Sequence, residues 1–252
     1  MQGDAPKALG QDSIVEAVFE IRFTPRATSA GDLLPGLMYP TVGKRYPTVL
    51  GLPLAQIPRA MRQTNHAFVY QPLNALVGTN MRLALGDQVM SVSVSKPYPR
   101  WPSFRELIGE AVIALERTEI VREIERISLK YVNVLPPEKG TADLSTLRLK
   151  LELGDFPLRP QGQIVRAEIE HGGSTHIVQV TSGTSVSVNL PGSTPFEVKG
   201  VMLDVDAVTN GPFKCTWSAI EEAVERAHAA EKDVFFGLLT KETLNRMRPI
   251  YA

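Results

Sequence analysis

The chain has 252 residues, of which 43% are hydrophobic and 21% charged, and its 27 Lys and Arg residues balance 27 Asp and Glu residues. This composition is typical of a folded globular protein, and no run of about 18 apolar residues predicts a membrane span. The first 12 residues lack the apolar region of a secretory signal. Cys215 is the single cysteine, so an internal disulfide and a cysteine-rich zinc site are excluded. Both observations favour a cytoplasmic location.

The first half of the chain is predicted to hold a strand, a proline-rich segment, further strands and a helix. Residues 14–23 alternate apolar and polar side chains, which predicts a half-buried strand. Residues 24–66 contain six prolines, so we expect an irregular insertion that leaves room only for short helices. The remaining elements of this half are strands at 68–71, 80–85 and 89–95, a helix at 103–117 and a strand at 127–135.

The second half is predicted to begin after a Pro-Pro-Glu-Lys-Gly sequence at 136–140, which marks an internal boundary. Two strands on either side of His171-Gly172-Gly173-Ser174-Thr175 form a predicted hairpin. The predicted elements are strands at 147–153, 164–170, 176–181, 185–190 and 198–208, a helix at 218–231 and an amphipathic stretch at 234–247.

A tryptophan-led pattern occurs twice, as W-P-S-F-R-E at 101–106 and W-S-A-I-E-E at 217–222. In each copy a Ser precedes a Glu by three positions, which is the spacing of a capping box at a helix N-terminus. Each copy also follows an alternating run. We therefore predict an α+β fold, mainly antiparallel sheet with helices packed on one side, built from two degenerate strand-hairpin-helix repeats over residues 1–137 and 138–252.

Three segments carry a family resemblance, namely V-E-A-V-F-E-I-R-F at 15–23, S-L-K-Y-V-N-V at 128–134 and F-F-G-L-L-T-K-E-T-L-N-R at 235–246. Together they resemble a sporadically distributed prokaryotic family of uncharacterised proteins of about this length. The resemblance implies an accessory gene product of the kind found near mobile or phage-defence loci, and it supplies no catalytic residues. The middle motif of that family more often has a basic residue after the Asn, where this chain has Val134.

Charge is distributed unevenly along the chain. Residues 1–137 carry 15 Lys and Arg against 12 Asp and Glu, and residues 138–252 carry 12 against 15. No acidic residue lies between Asp32 and Asp87, where basic and aromatic residues alternate. Such a segment can bind single-stranded nucleic acid or another anion, with cations on phosphates and rings on bases; an irregular lid with solvated cations is the alternative. The candidate residues are Lys44, Arg45, Tyr46, Arg59 and Arg62.

Few residues point to catalysis. His171 and His176 flank the glycine turn and, with Glu168 or Glu170, are weak candidates for a metal site. Carboxylate pairs share a strand face in two places and suit either acid–base or metal chemistry, or a solvated face that pairs with neighbouring cations. Cys215 precedes a predicted helix but has no evident base partner, so a small buried residue is the preferred interpretation. The two carboxylate pairs are Glu16 with Glu20 and Asp204 with Asp206.

The sequence therefore favours a non-enzymatic protein that binds a protein partner, with no cofactor and no membrane association. Self-association is a further expectation, because the two halves carry opposite charge. Two other hypotheses stay open at this point. One is binding of single-stranded nucleic acid through residues 39–82, and the other is a metal-dependent hydrolase or nuclease.

Overall fold

A computed structural model describes residues 6–137, 142–188 and 196–251. Its strands, numbered in chain order, are β1 (Ala8–Leu9), β2 (Ile14–Pro25), β3 (Thr48–Gly51), β4 (Asn74–Gly78), β5 (Met81–Leu85), β6 (Val89–Ser95), β7 (Val121–Leu135), β8 (Ile164–His171), β9 (Ser174–Val188), β10 (Phe196–Phe213) and β11 (Pro249–Ile250). Nine of these form one antiparallel sheet in the order β3-β4-β5-β6-β2-β7-β10-β9-β8, and β1 pairs separately with β11.

The helices lie on one side of this sheet. They are α1 (Ala30–Val42), α2 (Arg59–Thr64), α3 (Trp101–Glu116), α4 (Trp217–Leu238) and α5 (Lys241–Arg246). The buried side chains of α1, α3 and α4 pack on the same face of the strands. The α+β fold predicted from the sequence, with a mainly antiparallel sheet, is thus confirmed. Within the described ranges, no helix combines the length and apolar character needed to cross a bilayer.

The alternation in β2 explains how the core forms. Its odd-numbered side chains, Ala17, Phe19, Ile21 and Phe23, are fully buried beneath the helices, whereas its even-numbered ones face the other way. Full burial of a Phe or Ile side chain stabilises a fold by about 1.5–3 kcal/mol. This strand lies at the centre of the sheet, so its alternation sets which face carries the helices.

The two predicted halves share this sheet. β2, from the first half, pairs with β7, and β7 pairs with β10 from the second half. The main core likewise combines Phe19 and Phe104 with Ile220 and Val224 of α4. The predicted boundary at 136–140 follows β7, and its residues 138–140 lie outside the described residues, as do 189 and 190 of the predicted strand 185–190. That the halves are repeats stays a prediction.

The proline-rich segment 24–66 is more regular than expected, because α1 spans 13 residues and contains Pro35 and Pro40. A proline inside a helix removes one hydrogen bond and crowds the carbonyl group four residues earlier. In α1 those earlier positions are Gly31 and Gly36, which carry no side chain. The Gly31 carbonyl, which lacks its helical donor, instead accepts a hydrogen bond from Asn74 Nδ2 at 2.9 Å. Glycine spacing and a tertiary partner thus allow the helix.

Two predicted strands are wrong. Residues 68–71 belong to a 3-10 turn at His66–Phe68 and the loop that follows it. In the segment 147–153 only Leu147 forms a bridge, with Leu239. Its first leucines pack against the core around α4, whereas Leu151 and Leu153 are exposed. The leucine alternation predicts a strand, but beyond the bridge at Leu147 no strand of the described residues pairs with this segment. Conversely, the sequence analysis predicts no strand where the structure has β4.

The helix starts also differ from the predicted capping boxes. Both helices begin at the tryptophan itself, so the N-caps are Arg100 and Thr216. Arg100 has a φ of 74° and no side-chain capping bond, whereas Thr216 accepts a hydrogen bond from the Ala219 N–H at 3.2 Å. Ser103 and Ser218 therefore lie inside the first turn. The second helix is longer than predicted, since α4 continues to Leu238.

Candidate binding face of the sheet

The face of the nine-stranded sheet opposite the helices, called the outer face below, carries a concentration of charged side chains. Because side chains alternate along a strand, every second residue of the central strands β2, β7 and β10 points to it. The register places Val18 opposite Lys130 and Lys130 opposite Asp206. The charged residues in the middle of the outer face, on β2, β5, β7 and β10, are Glu16, Glu20, Arg22, Arg82, Arg126, Lys130, Asp204 and Asp206, and the even-numbered charged residues of β8 lie on the same face at its edge.

Ion pairs connect several of these side chains across the strands. Lys130 Nζ lies 2.9 Å from Asp204 Oδ2, and Glu20 Oε1 lies 2.8 Å from Arg22 Nε and 3.9 Å from Arg126. The side chains are half-buried, with Asp204 only 16% exposed. The pairing of Glu20 with arginines matches the interpretation of the Glu16–Glu20 pair as a charged face rather than as an acid–base site.

Several polar atoms of the outer face have no hydrogen-bond partner among the described residues although they are buried. Oδ1 of both Asp204 and Asp206 lacks a donor, and Nε of both Arg82 and Arg126 lacks an acceptor. A buried polar atom without a partner costs about 1–3 kcal/mol. These atoms lie below the accessible surface, so they add to the energetic cost of holding the charges of the outer face and are not themselves contact points.

Burial shifts the acids and bases of this face in the direction that opposes charge. Burial raises the pKa of Asp206, and the charges of Lys130 and Arg126 counter this increase only in part. Burial likewise raises the pKa of Glu16, and the charges of Arg82 and Lys130 offset part of that increase. The pKa of Asp204 is also raised by burial against the opposing effect of Lys130.

The basic groups respond in two ways. Burial lowers the pKa of Arg126, and the neighbouring Arg22 adds to this. Burial also acts to lower the pKa of Lys130, but the charge of Asp204 and its hydrogen bond outweigh this and raise the pKa overall. For Glu16, Arg126, Asp204 and Asp206, the energetic cost of burying the charge is thus only partly offset inside the molecule.

One end of the outer face is bordered by Tyr70, from the loop after the 3-10 turn. Its ring lies under the guanidinium group of Arg22, with 4.3 Å between the Arg22 Cζ and the ring centroid. The Tyr70 hydroxyl donates to Glu125 Oε2 at 3.3 Å, and Thr24 donates to the same carboxylate. An aromatic ring and a cation are therefore already stacked at this edge.

The candidate residues of the basic segment do not form one surface. Arg45 forms ion pairs with Glu106 and Glu110 of α3, at 3.4 and 2.8 Å. Arg62 is 8% exposed and lies 3.4 Å from Asp87.

The other three candidates are equally dispersed. Tyr46 is fully buried in the main core, so its ring offers no surface for stacking. Arg59 donates to Ser29 Oγ at 2.7 Å, and Lys44 is exposed just beyond the end of α1. Although the segment between Asp32 and Asp87 has no acidic residue, its arginines Arg45 and Arg62 thus pair with carboxylates from other parts of the chain.

His171 and His176 lie close together, with ring centroids 6.1 Å apart, although the hairpin register pairs them with Ser174 and Ile169 respectively and not with each other. Their surroundings differ, because His176 is fully buried and its Nε2 donates to the His171 carbonyl, whereas His171 is exposed and its Nε2 lies 3.3 Å from Asp233. The Glu170 carboxylate accepts from Thr175 instead. The described part of the chain holds no group of three or more His, Cys, Asp or Glu side chains arranged to bind a metal ion.

Cys215 is half-buried, and burial raises the pKa of its thiol to about 12, with Glu116 adding to the shift. A thiol in that state carries almost no reactive thiolate at neutral pH.

A second cluster of titratable groups lies where α3 meets α4. The Trp101 ring stacks on His228 with 3.9 Å between centroids, and its Nε1 donates to Glu225 at 3.1 Å. Burial lowers the pKa of His228 to about 3 and raises that of Glu231, which is 4% exposed, to about 8. The sequence predicts a helix that ends at about Glu231; α4 instead continues to Leu238, and Glu231 lies on the buried face of this helix.

Comparison with known proteins adds no further information about this site. The chain matches no family model, and no curated protein shows significant similarity to it.

Proposed function

We propose that this protein is a non-enzymatic binding protein that holds a protein partner on the outer face of its sheet. The observation that carries the proposal is the concentration of four acidic and four basic side chains, all half-buried, on β2, β5, β7 and β10. A complementary surface can pair with the accessible atoms of these side chains, and charged hydrogen bonds contribute about 1.5–3 kcal/mol each.

The charge balance of the outer face supports a protein rather than a nucleic acid as the proposed partner. Four acidic and four basic side chains lie together on β2, β5, β7 and β10, so a bound segment that carries both Lys or Arg and Asp or Glu can pair with each sign. A nucleic acid presents one negative charge per nucleotide, which Asp204 and Asp206 would repel. The pairing of Arg45 and Arg62 with carboxylates also weakens the case for single-stranded nucleic acid on the basic segment.

The proposed cellular setting is supported by the family resemblance and not by the fold. We propose that the partner is a cytoplasmic protein encoded in the same accessory prokaryotic locus, of the mobile or phage-defence type.

Affinity capture from the producing organism tests the proposal if it is combined with variants of the outer face. Asp206→Asn and Arg126→Gln each remove one charge, and since burial disfavours both charges, neither substitution should unfold the protein. We expect each to reduce capture of the partner at least several-fold. Glu222→Gln, at an exposed position on α4, is the matched control and should leave capture unchanged.

Nuclease treatment separates the two binding hypotheses. A partner that survives nuclease and is lost from both outer-face variants supports the proposal. Capture that is equal for wild type, D206N and R126Q shows that the outer face is not the binding surface. Recovery of nucleic acid, with all partners lost after nuclease treatment, would instead favour the basic segment, and Arg59 and Arg62 would then be the residues to substitute.

A further inference from the structure

The last strand of the sheet, β8, leaves one edge of its backbone without a partner. It pairs with β9 on one side only and has no backbone hydrogen bond on its other side among the described residues. At the opposite end of the sheet the edge strand β3 has only four residues, whereas β8 has eight and contains no proline. Short strands, prolines and charged side chains are the usual protection of a sheet edge. Of these β8 has only charged side chains, and because they are of both signs a complementary strand can neutralise them.

The hairpin turn determines which backbone groups are free. His171 is opposite Ser174 across the two-residue turn Gly172-Gly173, so these two residues form a hydrogen-bonded pair. The Ser182 N–H donates to the Gln163 carbonyl at 3.0 Å, which fits the same alternation. Odd-numbered residues of β8 therefore bond to β9. The outward N–H and C=O groups belong to the even-numbered residues, Ile164, Arg166, Glu168 and Glu170.

We propose that β8 pairs in antiparallel fashion with β8 of a second copy of this chain, about a two-fold axis at Ala167. This interaction is separate from the proposed function, since it uses the strand edge rather than the outer face of the central strands. In this register Arg166 lies opposite Glu168 of the other copy, and Glu168 lies opposite Arg166. The paired residues are both even-numbered, as the free hydrogen-bonding groups require.

Charge complementarity selects this register over its neighbours. If the axis moved by one residue, either Arg166 or Glu168 would lie opposite its own copy, and like charges directly across two strands are destabilising. On the helix face the same register brings Val165 opposite Ile169. Both side chains already pack against the core around α4, so this pairing extends that core across the junction.

The existing contacts of the edge are compatible with the pairing. Arg166 and Glu168 form an ion pair within β8 at 2.9 Å, and their side chains are 53% and 56% exposed. In the dimer these two ion pairs would meet as a square of alternating charges. Ala167, at the axis, is exposed. Because the axis runs perpendicular to the sheet, the outer faces of both copies would lie on the same side of one continuous sheet.

Cysteine cross-linking at the axis tests the register. In a Cys215→Ser background, Ala167→Cys places two cysteines directly opposite each other, within the Cα distance that a disulfide spans. Glu170→Cys is an exposed control on the same strand, and the two copies of residue 170 would lie about 20 Å apart. We expect mild oxidation to give a covalent dimer with A167C and not with E170C. Equal cross-linking of both variants would overturn the proposed register.

Sedimentation velocity of the unmodified protein tests the pairing itself. We expect a concentration-dependent dimer, with a dissociation constant that Arg166→Glu raises at least tenfold because it places Glu opposite Glu. The charge-swapped variant R166E/E168R should restore dimerisation. A wild-type protein that stays monomeric at the highest concentration reached, or a dimer that R166E leaves unchanged, would overturn the proposal.

Discussion

At the scale of single residues, the charged groups of the outer face were partly visible in the sequence. The alternation of Glu16 with Glu20, and of Asp204 with Asp206, predicted that each pair shares a strand face. That all four carboxylates share one face with Arg82 and Lys130 depends on the order of strands, which local periodicity does not contain. The basic segment, in contrast, was an attractive candidate only because its acidic partners, such as Asp87 and Glu110, are distant in sequence or on another element.

Glu231 provides a prediction about stability and pH. Burial raises the pKa of this carboxyl group to about 8 in the folded protein, from its ordinary value of 4.5. As the pH rises between these two values, the unfolded chain releases the proton while the folded protein keeps it, so this group lowers the free energy of unfolding progressively up to about pH 8. We expect Glu231→Gln to be more stable than wild type by a few kcal/mol at pH 8, and by much less at pH 4.

Urea denaturation at several pH values measures this difference. Glu222→Gln, on the same helix but exposed, is the control and should show no such growth of the difference with pH. A stability difference between E231Q and wild type that does not change from pH 4 to pH 8 would contradict the assignment of a raised pKa to Glu231.

At the scale of elements, α1 shows how a tertiary contact can replace a helical hydrogen bond. The sequence shows Pro35 and Pro40, which disfavour a helix at these positions. It also shows the glycines four residues before each proline, which relieve the steric clash. It does not show that Asn74, on β4, reaches the free carbonyl of Gly31. Residue-level propensity therefore predicted an irregular segment where a 13-residue helix packs on the sheet.

The contact between Asn74 and Gly31 can be tested by a double-mutant cycle. Asn74→Ala should lower the free energy of unfolding by about 1–2 kcal/mol, because it leaves a carbonyl group without a donor. In a Pro35→Ala background residue 35 regains its N–H and can donate to the same carbonyl, so the same substitution should cost less. Chemical denaturation of the four proteins gives the coupling energy. Equal costs of N74A in the two backgrounds would show that the two groups do not compensate for each other.

The start of α4 gives a second prediction at this scale. Thr216 caps the helix through the Ala219 N–H, so Thr216→Ala should cost about 1 kcal/mol of stability. Ser103, the cap expected from the sequence of α3, lies inside that helix and makes no capping bond. Ser103→Ala is thus the matched comparison and should change stability by less than about 0.5 kcal/mol. Thermal denaturation distinguishes the two, and a larger loss for S103A than for T216A would contradict the observed helix starts.

At the scale of the whole molecule, the central strands of the sheet connect the two halves that the sequence predicts. β7 pairs with β2 on one side and with β10 on the other, and the main core draws on both halves. Neither half can therefore bury its apolar face alone. This arrangement also explains why the opposite net charges of the two halves do not separate into two surfaces, since both contribute to the outer face.

Expression of residues 1–137 alone tests this conclusion. We expect the fragment to lack a cooperative unfolding transition, because Phe19, Phe104 and their neighbours would lose the cover of α4. The full chain should unfold in one transition by both circular dichroism and tryptophan fluorescence. A fragment with a sharp transition of its own, or two transitions in the full chain, would show that the halves fold independently.

Sequence alone determined the elements whose evidence is local. The alternation in β2, the hairpin around Gly172-Gly173 and the apolar stripes of α3 and α4 each follow from a periodicity of two or about 3.6 residues, which any short window contains. Only the tertiary structure decided which strands are neighbours, that the leucines at 147–153 have no strand to pair with, and that Glu231 is buried. These outcomes depend on contacts between residues far apart in the chain, and the same local pattern is compatible with several such arrangements. The outer face and the free edge of β8 are likewise decided by the tertiary structure, because each is a surface that no other described element covers.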